Sequence, residues 1–291
     1  MEKSDTLHDA ILRETTNRLR GLLGAEMEAI TVERVVLGLF FTGVKLSNGH
    51  GGICFTPIKS IPEAVCCPSS AKAMPDSGRM KGEKVTSILD NMLAGNPLRK
   101  TIGIAALNAL SSTYWATQPQ VRYELRTGVD VLANIDVPED ANVAVVGALI
   151  PFVKVLKKRG KPFSILELDP RTLKQDEMPY FVPPEKAAEK LPLADLLVIT
   201  GTTLINDTLA GLLQLKKPGA RVIVVGPTAS MLPDAFFERG VTVLGGITVT
   251  DPDRVLDVIS EGGSGYHFFG KGAERTAVEA RAEALRERAA R

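Results

Sequence analysis

Polar side chains and glycines follow each of five short apolar segments in the second half of the sequence. Threonine, asparagine and carboxylate side chains are short hydrogen-bonding groups, and glycine lets a ligand approach the backbone closely. Together, such residues could orient a small molecule or coordinate a cation. The residues that we predict to bind the ligand are Gly147, Glu167, Asp169, Thr200, Gly201, Thr202, Thr203, Asn206, Gly226, Pro227, Thr228 and Gly245.

Each of these signals also has a purely structural interpretation. Gly147 is compatible with a tight turn alone, and the threonines and asparagine of the segment Thr200–Thr208 can cap a helix without touching a ligand. The segment Gly226–Thr228 equally fits a turn. The prediction of a site therefore depends on the expected convergence of these segments more than on any one of them.

The two acidic residues of the group are the predicted metal ligands. Glu167 and Asp169 offer the hard oxygen atoms that cations such as Ca²⁺ and Mg²⁺ prefer, and Glu167 could instead act as a general base. Glu167 also lies twenty residues after Gly147, the separation of the ribose-binding acid in dinucleotide folds. The G-x-G-x-x-G pattern is absent there, so ordinary nicotinamide binding is disfavoured.

Soft metal ligands occur in the first half of the sequence. Cys54, Cys66 and Cys67 fall within fourteen residues, and His50 precedes Cys54 by four. Thiolate and imidazole groups favour zinc, copper or iron. The spacing matches no standard zinc pattern, so buried thiols without a metal are the alternative.

Asn108 is an amide within the apolar segment 103–109 of a predicted helix. A buried amide needs hydrogen-bond partners. Asn108 is therefore either a structural lock in the core or a ligand-binding side chain that projects into a cleft, and the sequence leaves both open.

The elements that would position the site form an α/β pattern after residue 140. Their apolar runs do not alternate with polar residues, which is typical of strands buried on both faces of a parallel sheet. We predict strands at Val143–Val146, Phe163–Leu168, Leu196–Thr200, Val222–Val225 and Val241–Leu244, and a helix at Pro151–Arg159. In such Rossmann-like sheets, ligands bind beyond the carboxyl ends of the strands.

The first half of the sequence predicts an α+β domain. It has a helix ending at Gly24, a β-rich segment 35–46, a strand 53–58 and an Asn48-Gly49 turn between them, then helices at 85–94 and 98–112. A boundary near 136–140 gives domains 1–137 and 138–291. The stretch Ala273–Arg291 is predicted to be a charged helix that docks on its own chain or on a second subunit.

Composition narrows the function classes. The 291 residues carry a formal net charge of +1, which gives no basic footprint for nucleic acid or an anionic membrane. Three cysteines are too few for a disulfide scaffold and favour a reducing compartment. The N-terminus lacks a signal-peptide pattern, and no apolar run is long enough to span a membrane, so we expect a cytoplasmic protein.

The order of these motifs resembles the family called the putative heavy-metal chelation domain. The resemblance covers roughly residues 5–265, and no single motif is diagnostic. The residues that match the family pattern are Gly103, Asn108, Gly147, Glu167, Asp169, Thr200, Gly201, Thr203, Asn206, Thr208, Gly226, Pro227 and Gly245. The resemblance implies an N-terminal domain similar to that of enolase, a C-terminal Rossmann-like domain, and a site between them. It implies no enolase reaction, because the metal site of enolase belongs to a barrel that this chain is too short to contain.

The leading hypothesis is therefore a two-domain protein that binds a metal ion, or a metal-containing or anionic small molecule, in the interdomain cleft. Thr200, Thr203 and Asn206 would orient the ligand, Asn108 would close the cleft, and a transition-metal ion is the expected cofactor. The alternative is an enzyme, a transferase or lyase that uses a nucleotide-like cofactor. A third hypothesis is a non-catalytic partner protein, and a homo-oligomer remains open.

Overall fold

The computed structural model describes residues 9–61, 74, 76–117 and 122–280. The strands β1 to β11 are Val32–Leu37, Phe41–Leu46, Gly51–Phe55, Tyr123–Thr127, Val143–Val146, Phe163–Leu166, Phe181–Val182, Leu196–Thr200, Arg221–Val225, Val243–Val249 and Ala273–Ala280. The described α-helices, α1 to α10, are Ala10–Leu23, Ala25–Ala29, Val85–Asn91, Pro97–Thr117, Ile150–Arg159, Ala187–Lys190, Leu209–Gln214, Asp234–Phe237, Pro252–Ser260 and Gly265–Phe268.

The part of the chain before β4 is called the first lobe, and the large sheet with the elements around it is called the second lobe. The first lobe contains a small antiparallel sheet, β1-β2-β3. Asn48 and Gly49 form the turn between β2 and β3, as predicted, and Gly49 has a φ of +85° that a glycine adopts without strain. The β-rich segment 35–46 is two strands rather than one. Gly38 donates its backbone N–H to the carbonyl oxygen of Phe41 at 2.9 Å, which closes a tight turn between β1 and β2.

Helix α4 joins the two lobes. It is buried on most of its surface, as expected for a helix that is apolar or small all round. It packs on β2 and β3, and its side chains share one apolar core with residues of the large sheet such as Leu197 and Val224. The two lobes therefore share one continuous apolar core. No helix in the described part of the chain has both the length and the apolarity to cross a membrane.

The large sheet has eight strands in the order β4-β11-β10-β9-β8-β5-β6-β7. Six neighbouring strands, β10 to β7 in that order, are parallel, and β11 is antiparallel to both of its neighbours. Numbered along the chain from β5, the parallel strands run 3-2-1-4-5-6, the order of doubly wound sheets that bind dinucleotides. The predicted α/β class and mostly parallel sheet are confirmed.

The predicted C-terminal helix is wrong over its first eight residues. Ala273–Ala280 forms β11, which pairs with β10 along its length and with β4 on its other side. The segment is rich in helix formers, but its pairing satisfies the backbone N–H and carbonyl groups along one edge of β10, and such tertiary contacts outweigh local propensity. Residues 281–291 of the predicted helix lie outside the described residues. Strand β4 precedes the predicted domain boundary and nevertheless joins the large sheet, so the division at 137 stays a prediction.

The strand predicted at Val241–Leu244 does not end at Gly245. Strand β10 continues through Gly245 and Gly246 to Val249. A Cβ atom on Gly245 would lie 2.9 Å from Val131 Cγ2, and one on Gly246 would lie 2.8 Å from Ser230 Oγ. These glycines therefore let Val131 and Ser230 pack closely on β10, and they do not form a strand-end loop.

Candidate functional site

A cavity of about 350 Å³ opens at the carboxyl ends of β5, β6 and β8. The strand order reverses between β5 and β8, and open parallel sheets bind their ligands at this point. The cavity is in the size range of small-molecule sites. Its lining residues are Phe55, Val146, Gly147, Ala148, Leu149, Leu166, Glu167, Leu168, Pro184, Ala187, Thr200, Thr202, Thr203, Asn206, Thr208 and Leu212.

Gly147 brings two of these strand ends together. It has a φ of +92°, and a Cβ atom at this position would lie 2.5 Å from the Cγ2 atom of Thr200. Its N–H donates to the carbonyl oxygen of Leu166 at 2.8 Å. The turn after β5 therefore passes directly over Thr200 because residue 147 has no side chain.

The polar side chains of the segment after β8 hydrogen-bond within the segment and also line the cavity. A short 3-10 helix, Gly201–Leu204, begins it, and the buried Thr203 hydroxyl donates to the carbonyl oxygen of Thr200 at 2.7 Å. The hydroxyl oxygens of Thr200 and Thr202 lie 3.2 Å apart at the cavity wall. Asn206 Oδ1 accepts from the Thr208 hydroxyl at 2.7 Å. The capping interpretation therefore applies to Thr200, whose Oγ1 atom accepts from the N–H of Thr202 at 3.4 Å, and to Asn206, and both of these residues also line the cavity.

Glu167 is the charged side chain among the lining residues, and its orientation is fixed. Its Oε1 atom accepts hydrogen bonds from the backbone N–H groups of Leu168 at 2.8 Å and Asp169 at 3.2 Å. Its Oε2 atom accepts none from the residues that the structure describes. The half-buried carboxylate is thus held by one oxygen and offers the other to a ligand.

Asp169 lies beside the cavity but is already paired with two cations, and the three side chains together carry a net charge of +1. Its carboxylate receives two hydrogen bonds from the Arg171 guanidinium, at 2.7 and 3.0 Å, and one from Lys59 at 3.1 Å. The Arg171 contact and then the Lys59 contact hold the pKa of Asp169 well below its usual range. Lys59 belongs to a short 3-10 helix after β3, so this ion pair ties the first lobe to the end of β6.

Asn108 connects the lobes through its side-chain amide. Its Nδ2 atom lies 2.8 Å from the carbonyl oxygen of Ile53 in the first lobe, and 3.1 and 3.2 Å from those of Pro227 and Thr228 in the second. Asn108 is 3% exposed and does not line the cavity. These contacts favour a structural role for Asn108 over a ligand-binding role.

The remaining predicted residues also serve contacts within the protein. Thr228 Oγ1 accepts from the N–H of Phe55 at 3.1 Å, and a Cβ atom on Gly201 would meet that of Ala229 at 3.0 Å. Those outside the cavity lining are Asn108, Asp169, Gly201, Gly226, Pro227, Thr228 and Gly245, and those that line it are Gly147, Glu167, Thr200, Thr202, Thr203 and Asn206.

Sequence reasoning missed the apolar wall of the cavity. Phe55 reaches the cavity from the first lobe, and Leu168, directly after Glu167, is 64% exposed at its edge. The rest of this wall includes Leu149, Pro184 and Leu212. The sequence signal for this wall is Leu168, which lies between two acidic residues at a strand end. Ligand sites combine an apolar wall with a few convergent polar groups.

Neither of the predicted soft ligands that the structure describes, His50 and Cys54, lines the cavity. Cys54 is fully buried in β3, and this burial strongly raises the pKa of its thiol. Cys66 and Cys67 lie outside the described residues. Within the ranges that the structure describes, no group of three or more His, Cys, Asp or Glu side chains could hold a metal ion.

The fold and the cavity define a two-lobed α/β protein with a ligand-sized pocket at the strand ends of a mostly parallel sheet. Two family models match the sequence, over residues 130–278 and 21–111, and both are described as putative heavy-metal chelation. The chain belongs to this family.

Three similar proteins are described as uncharacterised or of unknown function. An uncharacterised protein of Methanocaldococcus jannaschii is 31% identical over 184 residues, which are 62% of this chain and 66% of the relative. A DUF364-family protein of unknown function from Pyrococcus horikoshii has a similar fold, with a TM-score of 0.72 at 19% identity over 92% of this chain and 99% of that one. A second, from Desulfitobacterium hafniense, has a TM-score of 0.63 at 18% identity, over 91% and 98%. These structures support the fold alone.

Proposed function

We propose that this protein binds a small organic molecule in the strand-end cavity and that Glu167 is its charged anchor. The observation that supports this is the meeting of three strand ends around one cavity at the point where the strand order reverses. Hydroxyl groups of Thr200 and Thr202 would orient the molecule, and the apolar wall would cover the rest of it.

The family description names heavy-metal chelation, and the donor set limits how a metal could bind. Among the residues that the structure describes, the lining offers one carboxylate and several neutral oxygen atoms, whereas heavy metals prefer sulfur and nitrogen ligands. A bare heavy-metal ion therefore does not fit the described part of the lining, and a metal held by these residues would reach the cavity within an organic molecule. An anionic group is also disfavoured at Oε2 of Glu167, which would repel it at short range.

A cavity-filling variant tests the proposal. Ala148 lines the cavity, so Ala148→Phe is expected to exclude the ligand, while Ala133→Phe places the same side chain at an exposed position as a control. Small molecules released by denaturing each purified protein would be identified by mass spectrometry and elemental analysis. Wild type and Ala133→Phe should release one molecule per chain, and Ala148→Phe should release none. Equal release from all three, or no release from wild type, would contradict the proposal.

The two predicted metal ligands should differ in importance. Glu167→Gln keeps an oxygen atom for the two backbone N–H groups but removes the charge, so we expect the affinity for the released molecule to fall about ten-fold with little change in melting temperature. Asp169→Asn should change that affinity less than about two-fold, since Arg171 and Lys59 already engage Asp169. Titration calorimetry measures both, and equal losses would show that Glu167 has no special role.

One observation favours an enzyme as a second candidate function. Glu167 follows the second strand of the parallel order and Gly147 the first, which is the arrangement around a nucleotide-like cofactor. In a transferase or lyase of this kind, Glu167 would accept a hydrogen bond from a ribose hydroxyl of the cofactor. A cytoplasmic location and a homo-oligomeric state remain predictions from the sequence.

A further inference from the structure

We infer that the molecule in this cavity carries a ribonucleoside group without a phosphate. The inference rests on the proposed function of the cavity and names the chemical class of its ligand. A dinucleotide site has a ribose-binding half and a pyrophosphate-binding half. The strand ends of this sheet contain the first and lack the second.

The ribose-binding half is present. In doubly wound sheets, an acidic residue at the end of the second strand accepts hydrogen bonds from the ribose hydroxyls. Glu167 occupies that place at the end of β6, and it lines the same cavity as the Gly147 turn after β5. Because its Oε1 atom is held by two backbone N–H groups, Oε2 is positioned to accept from the hydroxyls of a vicinal diol.

The pyrophosphate-binding half is absent. It normally consists of free backbone N–H groups at the start of the helix after the first strand. At the start of α5, the N–H of Leu149 donates to Gly147 at 2.8 Å, that of Ile150 to Ala148 at 2.9 Å, and that of Phe152 to Leu149 at 2.9 Å. Pro151, between them, has no N–H. A phosphate at this helix would find no donor from residues 149–152.

The charges near the cavity lead to the same conclusion. Glu167 is the charged residue of the lining, and the cations Lys59 and Arg171 beside it are both bound to Asp169. The cluster of Lys59, Arg171 and Asp169 carries a net charge of +1, but neither cation pairs with Glu167, so a phosphate placed against Oε2 of Glu167 would be repelled at short range, whereas a neutral or cationic nucleoside would not be. The apolar wall formed by Phe55 and the residues around Pro184 suits the flat face of a base.

Titration calorimetry with three matched sets of probes tests the inference: the four ribonucleosides, their 2′-deoxy forms and their 5′-monophosphates. We expect at least one ribonucleoside to bind, its 2′-deoxy form to bind about ten-fold more weakly for lack of a hydroxyl, and its 5′-monophosphate to bind about ten-fold more weakly or not at all. Glu167→Gln should reduce the difference between the ribonucleoside and its 2′-deoxy form. A 5′-monophosphate that binds as tightly as its nucleoside, or the failure of all four ribonucleosides at millimolar concentration, would overturn the inference.

Ala148→Phe and its control Ala133→Phe distinguish failure of the nucleoside inference from failure of the proposed function. If wild type releases a molecule without a ribose, and Ala148→Phe abolishes its binding, the proposed function stands and the nucleoside inference is wrong. If nucleoside binding survives Ala148→Phe as well as Ala133→Phe, the nucleoside binds elsewhere and the inference is wrong.

Discussion

Gly52→Ala is expected to lower the free energy of unfolding by about 3 to 5 kcal/mol, near the upper end for a single substitution. Gly52 lies in β3, where the strand crosses the backbone of α4. An added Cβ atom would lie 2.2 Å from the carbonyl oxygen of Ala105 and 2.5 Å from the backbone nitrogen of Ala109. Because both atoms belong to a helix backbone, no side-chain rotation can relieve the contact.

Gly21→Ala is the matched control for this prediction. Gly21 lies inside α1, and a Cβ atom there would meet nothing within 4 Å. The same substitution should therefore stabilise the protein by about 0.5 to 1 kcal/mol through helix propensity. Urea-induced unfolding followed by circular dichroism measures both changes. Shifts of similar size and sign for the two variants would mean that β3 and α4 are not in the contact described.

Substitutions of Asn108 are expected to rank Asn, Ala, Asp in decreasing stability at neutral pH. Asn108→Ala should cost about 3 kcal/mol, because the buried carbonyl of Ile53 and those of Pro227 and Thr228 lose their shared donor. Asn108→Asp should cost more, because it places a buried negative charge among carbonyl oxygens. The exposed Asn17→Asp is the control and should change stability by less than about 0.5 kcal/mol.

The pH dependence of Asn108→Asp provides a second check. Burial raises the folded-state pKa of the introduced carboxyl group above its unfolded value of about 3.9. The proton therefore stabilises the folded state, and the deficit relative to Asn108→Ala should be small at low pH and grow as pH rises through the raised pKa. Unfolding measured at several pH values would contradict this account if the deficit were constant.

The main sheet could be predicted because its signal is local. Segments such as Val143–Val146 and Leu196–Thr200 are apolar throughout, which is typical of buried parallel strands, and the rule for strand ends then indicates a site. Strand β11 could not be predicted in this way. Its residues favour a helix, and only pairing with β10 and β4, which lie far away in the sequence, makes them a strand.

The candidate site was predictable only in part, for the same reason. Gly147, Glu167 and Thr200 follow recognisable strands, and the structure brings them to one cavity. The pairing of Asp169 with cations depends partly on Lys59, which is 110 residues away and has no local signal. The hydrogen-bond partners of Asn108 likewise lie 55 to 120 residues away in the sequence, so the sequence alone could not decide between its two roles.

Strand β4 has a consequence for how this protein can be divided. It covers the outer side of β11, yet it falls between the segments 21–111 and 130–278 that the two family models match. A recombinant fragment that starts at residue 130 would leave the backbone N–H and carbonyl groups along β11 unpaired, and such bare edges recruit other chains and aggregate. Truncated versions made for crystallisation or labelling should therefore begin before Tyr123, so that the sheet keeps its own border.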